Sequence, residues 1–364
     1  MSMPKELHYD AMLNDDIVSL GASKAFAPFA DSTLLVTGST GLIGSLMVRG
    51  ALEWNKAHDR KINVVALARN AQKAAAVFSD YEADGCFRIE IGDVSHPIQI
   101  RGPIDWISHG ASITSSAAFA RTPVEVALTE IDGTRNVLEF ARRESVKGVV
   151  YLSSLEVYGD IAQDHGEVFE GDSGHLDGLK PRNSYPSSKR MCESLCAAYA
   201  SEYGVPAKIA RLAQTFGAGA DPNDGRVFAY FARQVIAGED IVMRTPGEGC
   251  RCYCYTTDAV EGLLHVLSAG EAGRAYNVAN PETYCSARDM AEMVAQRFGG
   301  GRTSVRFDFP EDVSSYGFAS PSFVRMNADA LNGLGWHARY GLPEMYGRLI
   351  ESMKSAQSVK DATE

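Results

Sequence analysis

The sequence predicts an α/β protein: a doubly wound parallel sheet with a smaller, partly interleaved C-terminal lobe. Two observations carry this. Short, nearly all-apolar runs alternate with stretches of helical periodicity, and a glycine-rich turn joins the first run to the first such helix. Strands that are apolar along their whole length must be covered on both faces, which a parallel sheet achieves with a helix layer on each side.

In order along the chain, residues 1–30 read as an N-terminal extension with one short helix. The strand runs are Leu34-Leu35-Val36, Val64-Val65-Ala66-Leu67, Phe87-Arg88-Ile89-Glu90-Ile91, Trp106-Ile107-Ser108 and Val149-Val150-Tyr151-Leu152. Lys208-Ile209-Ala210-Arg211-Leu212 and Tyr276-Asn277-Val278 follow. Helical patterns lie between them, for example at 42–58 and 134–144. The polar stretch 163–183 is expected to be a long loop beside the active site, and the tail 352–364 to be frayed. A dinucleotide-binding domain is assigned to 31–212, with a strand at about 274–280 returning to it. A substrate lobe is assigned to 213–273 and 281–345.

Hydrophobic residues are 45% and charged residues 22% of the 364-residue chain, enough to bury a sizeable core. A net charge of −11 repels phosphate backbones and argues against nucleic acid as the main partner. The first twenty residues lack the apolar run of a signal peptide. No stretch approaches the about 18 apolar residues of a spanning helix, so a cytoplasmic location is expected. Cys250, Cys252 and Cys254 alternate along a strand and share one face. No nearby histidine completes a tetrahedral set, so they read as buried thiols and no metal is expected.

The first strand runs into Thr37-Gly38-Ser39-Thr40-Gly41-Leu42-Ile43-Gly44. Three glycines leaving a strand and opening a helix form the turn that receives a dinucleotide pyrophosphate. Gly38 permits the tight turn, Gly41 the approach of the backbone, and Gly44 the packing of helix on strand. The N–H groups at the helix start then face the phosphates. After the second strand stands Arg69, where an NAD site usually has an acidic residue for the adenosine ribose. A guanidinium suits a 2′-phosphate, so the expectation is NAD or NADP with a tilt to NADP. Asp93, beside Val94 after the third strand, is placed for the adenine side.

Tyr185 and Lys189 are four residues apart and share one helix face. A phenol is a poor base at neutral pH. A neighbouring ammonium together with an oxidised nicotinamide favours the phenolate. Ser154, ending the fifth strand, can hydrogen-bond the reacting hydroxyl at the sheet edge where such folds bind ligands. These residues predict an enzyme that oxidises a hydroxyl, with Tyr185 moving the proton.

From about residue 33 to 336 the sequence resembles the extended short-chain dehydrogenase/reductases, in their nucleotide-sugar epimerase, dehydratase and decarboxylase branch. The resemblance rests on the glycine turn and on His109-Gly110-Ala111-Ser112, Gly133-Thr134-Arg135-Asn136, Ser153-Ser154-Leu155-Glu156-Val157-Tyr158-Gly159, Ser184-Tyr185-Pro186-Ser187-Ser188-Lys189, Arg211-Leu212-Ala213-Gln214-Thr215-Phe216-Gly217 and Leu334-Gly335-Trp336. It implies a Rossmann-type domain with a tightly bound cofactor contacted also by Gly110, Ala111 and Ser112. It implies that Tyr185 takes the proton from a sugar 4-hydroxyl as hydride leaves C4, and that in most members the hydride returns after a second step. Relatives that eliminate water carry Asp-Glu where this chain has Leu155-Glu156. Glu156 is therefore expected to assist epimerisation at C5 or decarboxylation, with 4,6-dehydration as the alternative. Ser154 and Glu156 share a side if the strand continues. Arg251 and Arg325 match arginines that grip the nucleotide diphosphate. Gln214 takes the place of a phosphate-contacting asparagine, and Glu130 that of an asparagine before the Gly-Thr segment. Helices at about 120–145 and 185–203 imply a homodimer by analogy. The competing readings are a reductase acting on a non-nucleotide substrate and a non-catalytic dinucleotide-binding sensor or scaffold.

Overall fold

The structure, a computed structural model, describes residues 10–309 and 321–363. Positions 1–9 of the expected extension, 310–320 of the expected substrate lobe and the last residue of the tail lie outside the described residues.

The strands are β1 Thr33–Thr37, β2 Asn63–Ala68, β3 Phe87–Ile91, β4 Trp106–His109, β5 Gly148–Ser154, β6 Glu167–Val168, β7 Ala207–Leu212, β8 Gln214–Phe216, β9 Ile241–Met243, β10 Cys250–Tyr255, β11 Ala275–Val278, β12 Asn280–Ser286, β13 Val305–Phe307 and β14 Phe323–Met326. The helices are α1 Ala11–Gly21, α2 Leu42–Ala57, α3 Ala71–Val77, α4 Ser116–Arg121, α5 Pro123–Glu144, α6 Ser184–Tyr203, α7 Val227–Ala237, α8 Thr256–Ala269, α9 Ala287–Phe298, α10 Asp329–Asn332 and α11 Leu342–Thr363.

Seven parallel strands form the main sheet in the order β11-β7-β5-β4-β1-β2-β3. Every strand expected from the apolar runs is in it. The order reverses between β1 and β4, which opens a crevice at the carboxyl ends of those two strands. β1 is buried at all five positions, as a strand covered on both faces must be. On one face Leu34, Val36, Val64 and Ala66 pack with Leu46, Val48 and Leu52 of α2 and Leu263 and Leu264 of α8. On the other Leu35, Val65 and Ile107 pack with Val137, Leu138 and Phe140 of α5 and Cys192 and Cys196 of α6.

A second sheet has the order β12-β10-β14-β6, with β8 on β10, and β9 pairs with β13. A separate core forms beside it from α7, α9 and α11, including Phe228, Phe231, Met290, Tyr346 and Leu349. The stretch 163–183 is thus not wholly loop, because β6 pairs in parallel with β14.

α11 runs to Thr363, and Ser352 is 2% exposed. Met345, Tyr346, Leu349, Ile350 and Met353 recur at helical spacing and bury the first part of α11 against the second core. At the other end α1 packs back on the molecule. The buried Asp16 accepts from Tyr255 Oη at 2.7 Å and from Arg348 at 2.6 Å, tying the extension to β10 and α11.

The three β10 cysteines are free thiols, with Cys252 and Cys254 buried. Among the described residues no group of three or more His, Cys, Asp or Glu side chains could hold a metal ion. No described helix is long and apolar enough to cross a membrane.

Candidate active site

A cavity of about 520 Å³ lies over the crevice at the carboxyl ends of β1 and β4. Its floor is the glycine turn. Gly38 has φ +67°, and a Cβ there would stand 2.5 Å from the Gly110 carbonyl oxygen. A Cβ on Gly44 would stand 2.4 Å from the Gly38 oxygen. Both positions therefore exclude any side chain, and the turns after β1 and β4 come within backbone contact. Gly41 caps α2 with no side chain of its own, so the first N–H groups of that helix open toward the cavity. This cradle fits a dinucleotide pyrophosphate on chain geometry alone.

His109 holds the two turns together. The Ala111 N–H donates to Thr37 Oγ1 at 3.2 Å, and Thr37 Oγ1 lies 2.8 Å from His109 Nδ1. His109 Nε2 lies 3.3 Å from Thr134 Oγ1, so the imidazole bridges the two hydroxyls. Burial pulls the imidazole pKa down to about 3, and the Lys189 ammonium adds to the effect.

The catalytic candidates line the same cavity. Ser154, Glu156, Tyr185 and Lys189 are in its wall, as are Thr40, Leu42, Ile43, Arg69, Asp93, Val94, Gly110, Ala111, Ser112 and Gln214. Tyr185 is 7% exposed, and its ring stacks on Phe119 at 4.3 Å with planes 13° apart. Burial raises the pKa of the phenol, against the Lys189 charge and a Ser154 hydrogen bond, which lower it. Lys189 Nζ is 5.6 Å from the Tyr185 ring centre and donates to the Leu152 carbonyl at 2.8 Å. It also forms a buried ion pair with Glu130 at 3.0 Å. Burial alone would lower the pKa of the ammonium, but Glu130 and Tyr185 together offset this and the net shift is upward.

Glu156 reaches the cavity by a different route from the one expected. The strand does not continue: β5 ends at Ser154, and a tight 3₁₀ turn spans Leu155–Tyr158. Ser154 Oγ accepts from the Glu156 N–H at 3.2 Å and caps that turn. Leu155 is 6% exposed and packs into the main core, while the Glu156 carboxylate lies 3.4 Å from Arg182.

A model of the NAD dependent epimerase/dehydratase family matches residues 34–279. The chain belongs to this family. UDP-glucuronic acid decarboxylase 6 of Arabidopsis thaliana is 30% identical over 72% of this chain and 73% of its own length. A double mutant of DesIV, the dTDP-glucose 4,6-dehydratase of Streptomyces venezuelae, solved with NAD bound, superposes with a TM-score of 0.75 at 23% identity, covering 91% of this chain and 99% of its own. A mutant UDP-glucuronic acid 4-epimerase from Bacillus cereus, with a fluorinated UDP-sugar and NAD, gives 0.74 at 20% identity, covering 89% and 99%. This is therefore a chain of an NAD-dependent enzyme family that acts on nucleotide sugars, on a fold those solved structures share.

Two members of the expected substrate set stand elsewhere. Among the described residues lining the cavity, neither Arg251 nor Arg325 appears. Both are carried by strands of the second sheet, β10 and β14. Arg325 is half exposed, 4.0 Å from Glu167 and 5.8 Å from the Tyr284 ring centre. The arginine that does line the cavity is Arg226, before α7, held bidentate by Asp224 at 2.6 to 3.1 Å. Sequence reasoning missed it, along with Phe119 and Lys73, because none lies in a motif of the family. At the adenosine end Arg69 is loosely paired with Asp93 at 3.9 Å.

Proposed function

We propose that this family member takes UDP-glucuronate, oxidises it at C4, releases its C6 carboxylate as carbon dioxide and then reduces C4 again. Bound NAD would supply what the side chains lack, accepting hydride from C4 and returning it. The chain's own residues handle the protons. Ser154 donates to the sugar O4 and orients it, and Tyr185 removes the O4 proton. Lys189 stands behind the phenol and fixes its ring. With C4 a ketone, the C5–C6 bond is that of a β-keto acid. Its electron pair passes into the C4 carbonyl as carbon dioxide leaves, and C5 then takes a proton. Glu156, at the same wall and steered by Arg182, is placed to manage that proton. Tyr185 finally gives its proton back to O4.

The observation that carries this choice is the Leu155–Glu156 turn. Expulsion of water needs an acid, and the position where dehydrating relatives carry one is an apolar side chain turned into the core. Decarboxylation needs only the C4 carbonyl as electron sink. The decarboxylase relatives support the same choice. NAD rather than NADP is taken as cofactor, because Asp93 would meet a 2′-phosphate with like charge beside Arg69. Arg226 and Gln214, on the β8 side, are assigned to the diphosphate. A homodimer through α5 and α6 is inferred from exposed Val124, Leu128 and Met191 on those helices, and light scattering of the purified protein reads it directly.

The experiment is mass spectrometry after incubation with UDP-glucuronate and with neutral UDP-, dTDP-, GDP- and CDP-sugars. Loss of carbon dioxide from UDP-glucuronate alone is expected. An isomer of unchanged mass, or loss of water, refutes the decarboxylase assignment. Tyr185→Phe should cut turnover by about 10² to 10⁴. Glu156→Gln should keep C4 oxidation, seen as reduced-cofactor absorbance, while slowing carbon dioxide release. Full activity in Glu156→Gln removes Glu156 from the mechanism. No turnover of any sugar by the wild type would leave the sensor or scaffold reading.

A further inference from the structure

Glu130 is a charged group behind the proposed catalytic pair, at a position where the resemblance implies a neutral asparagine. Its side chain is 1% exposed and that of Lys189 is 3% exposed, with 3.0 Å between carboxylate and ammonium. The carboxylate is fully engaged. Ser112 Oγ donates to one oxygen, and Tyr151 Oη donates to the other at 3.1 Å. The ammonium is likewise enclosed, by Glu130, the Leu152 carbonyl and the faces of Tyr151 at 4.8 Å and Tyr185 at 5.6 Å. A buried ion pair is a weak device for stability, since the desolvation of two charges consumes most of the attraction. A neutral amide could hold the same ammonium by a hydrogen bond but would leave its charge uncompensated. What only the carboxylate does is cancel the charge.

We propose that Glu130 is a positioning residue that locks Lys189 into a charge-neutral buried pair, so that Tyr185 ionises with little help from Lys189 and the enzyme works at higher pH than a neutral amide at position 130 would allow. The effect is on the phenol through Lys189, because Glu130 itself touches neither cavity nor substrate. The other titratable groups around this centre leave the arithmetic intact. From β4, His109 is neutral, its pKa held near 3. From β5, burial holds Tyr151 protonated, and from α6 burial does the same to Cys192 and Cys196. From the 3₁₀ turn, Glu156 adds a second negative charge facing Tyr185 and opposes ionisation in the same sense as Glu130. Arg182 pairs with Glu156 at 3.4 Å and offsets its charge, so with Lys189 already matched by Glu130 the phenol has no unpaired cation beside it until a cationic nicotinamide is bound.

The inference rests on Tyr185 being the proton carrier, but its test needs no substrate. In the full chain loaded with NAD, the Tyr185 phenol is titrated by ultraviolet tyrosinate absorbance, as the difference between each protein and the same protein carrying Tyr185→Phe. Glu130→Gln keeps the shape and removes the charge. Its Tyr185 midpoint should fall by about one pH unit or more. The acid limb of kcat/KM on the true sugar should fall with it. Ser112→Ala makes an opposite prediction without touching the ion pair. Removing the hydroxyl that donates to Glu130 leaves more negative charge uncompensated, so the midpoint should rise. A midpoint that does not move in Glu130→Gln, or one that rises, overturns the proposal. The second outcome would mean that Glu130 acts by keeping Lys189 protonated. If Glu130→Gln does not fold, an unmoved or lowered midpoint in Ser112→Ala overturns it instead. Loss of carbon dioxide release with an intact phenol titration would count against the decarboxylase reading and not against Glu130.

Discussion

Substituting Gly38 by alanine tests the cofactor cradle most directly. At φ +67° an alanine pays a left-handed backbone cost of about 1 to 2 kcal/mol. Its Cβ would lie 2.5 Å from the Gly110 oxygen, 2.6 Å from its carbonyl carbon and 2.8 Å from the Ala111 nitrogen, all backbone atoms. Ordinary contact begins at 3.4 Å, so the turns after β1 and β4 must part by about 0.9 Å (3.4 minus 2.5). The Gly110 turn cannot retreat freely, because the His109–Thr134 clasp ties it to α5. Overpacking of this kind adds about 1 to 3 kcal/mol, for a total loss of roughly 2 to 5 kcal/mol. Displacement on the scale of 1 Å should weaken NAD binding by about two orders of magnitude. Urea unfolding measures the first effect and isothermal titration with NAD the second. Gly85→Ala is the control, since a Cβ there meets nothing within 4 Å and its backbone is unstrained. If Gly38→Ala binds NAD as tightly as the control, the pyrophosphate does not lie on this turn.

Two further outcomes follow from buried charge. His109 is neutral in the folded chain down to about pH 3, whereas a free imidazole titrates near 6.5. The unfolded chain thus binds more protons between these values, and stability is complete above about pH 6.5 and lost as pH falls toward 3. The slope is at most about 1.4 kcal/mol per pH unit from this group, and urea midpoints across that range should flatten in His109→Gln. Asp16→Ala strips the buried Tyr255 hydroxyl of its acceptor and leaves the half-buried Arg348 paired with Asp15, and should cost about 1 to 3 kcal/mol, the penalty for one buried polar group left unpaired. NAD affinity should be unchanged in that variant, and a urea midpoint within error of the wild type would show that α1 is not held by this contact.

The main sheet was legible because its central strands, such as β1 and β2, are apolar on both faces, a pattern that only burial between two helix layers satisfies. The glycine turn was legible for a similar reason. At Gly38 and Gly44 the backbone contact forbids a Cβ, so the residue type reports the geometry. Tyr185 and Lys189 could be placed together because four residues on a helix fix their relation locally. Other positions depended on more than local pattern. Glu156 was expected to share a side with Ser154 only if the strand continued, and the Ser154 hydroxyl instead caps a turn that ends it there. Arg251 and Arg325 were placed by motif position, which cannot say how the second sheet is set against the first. The burial of α11 along Met345, Leu349 and Met353 has meaning only once the second core exists.

Glu130 lies between these cases. Its departure from the family was visible in the sequence, but its partner was not. Lys189 lies 59 positions further along, and the two meet only because α5 and α6 pack side by side on the same face of the sheet. A substitution at a buried position changes the chemistry of whatever the fold places against it. Here that is the ammonium behind the phenol, so Glu130 acts through a contact that no local pattern encodes.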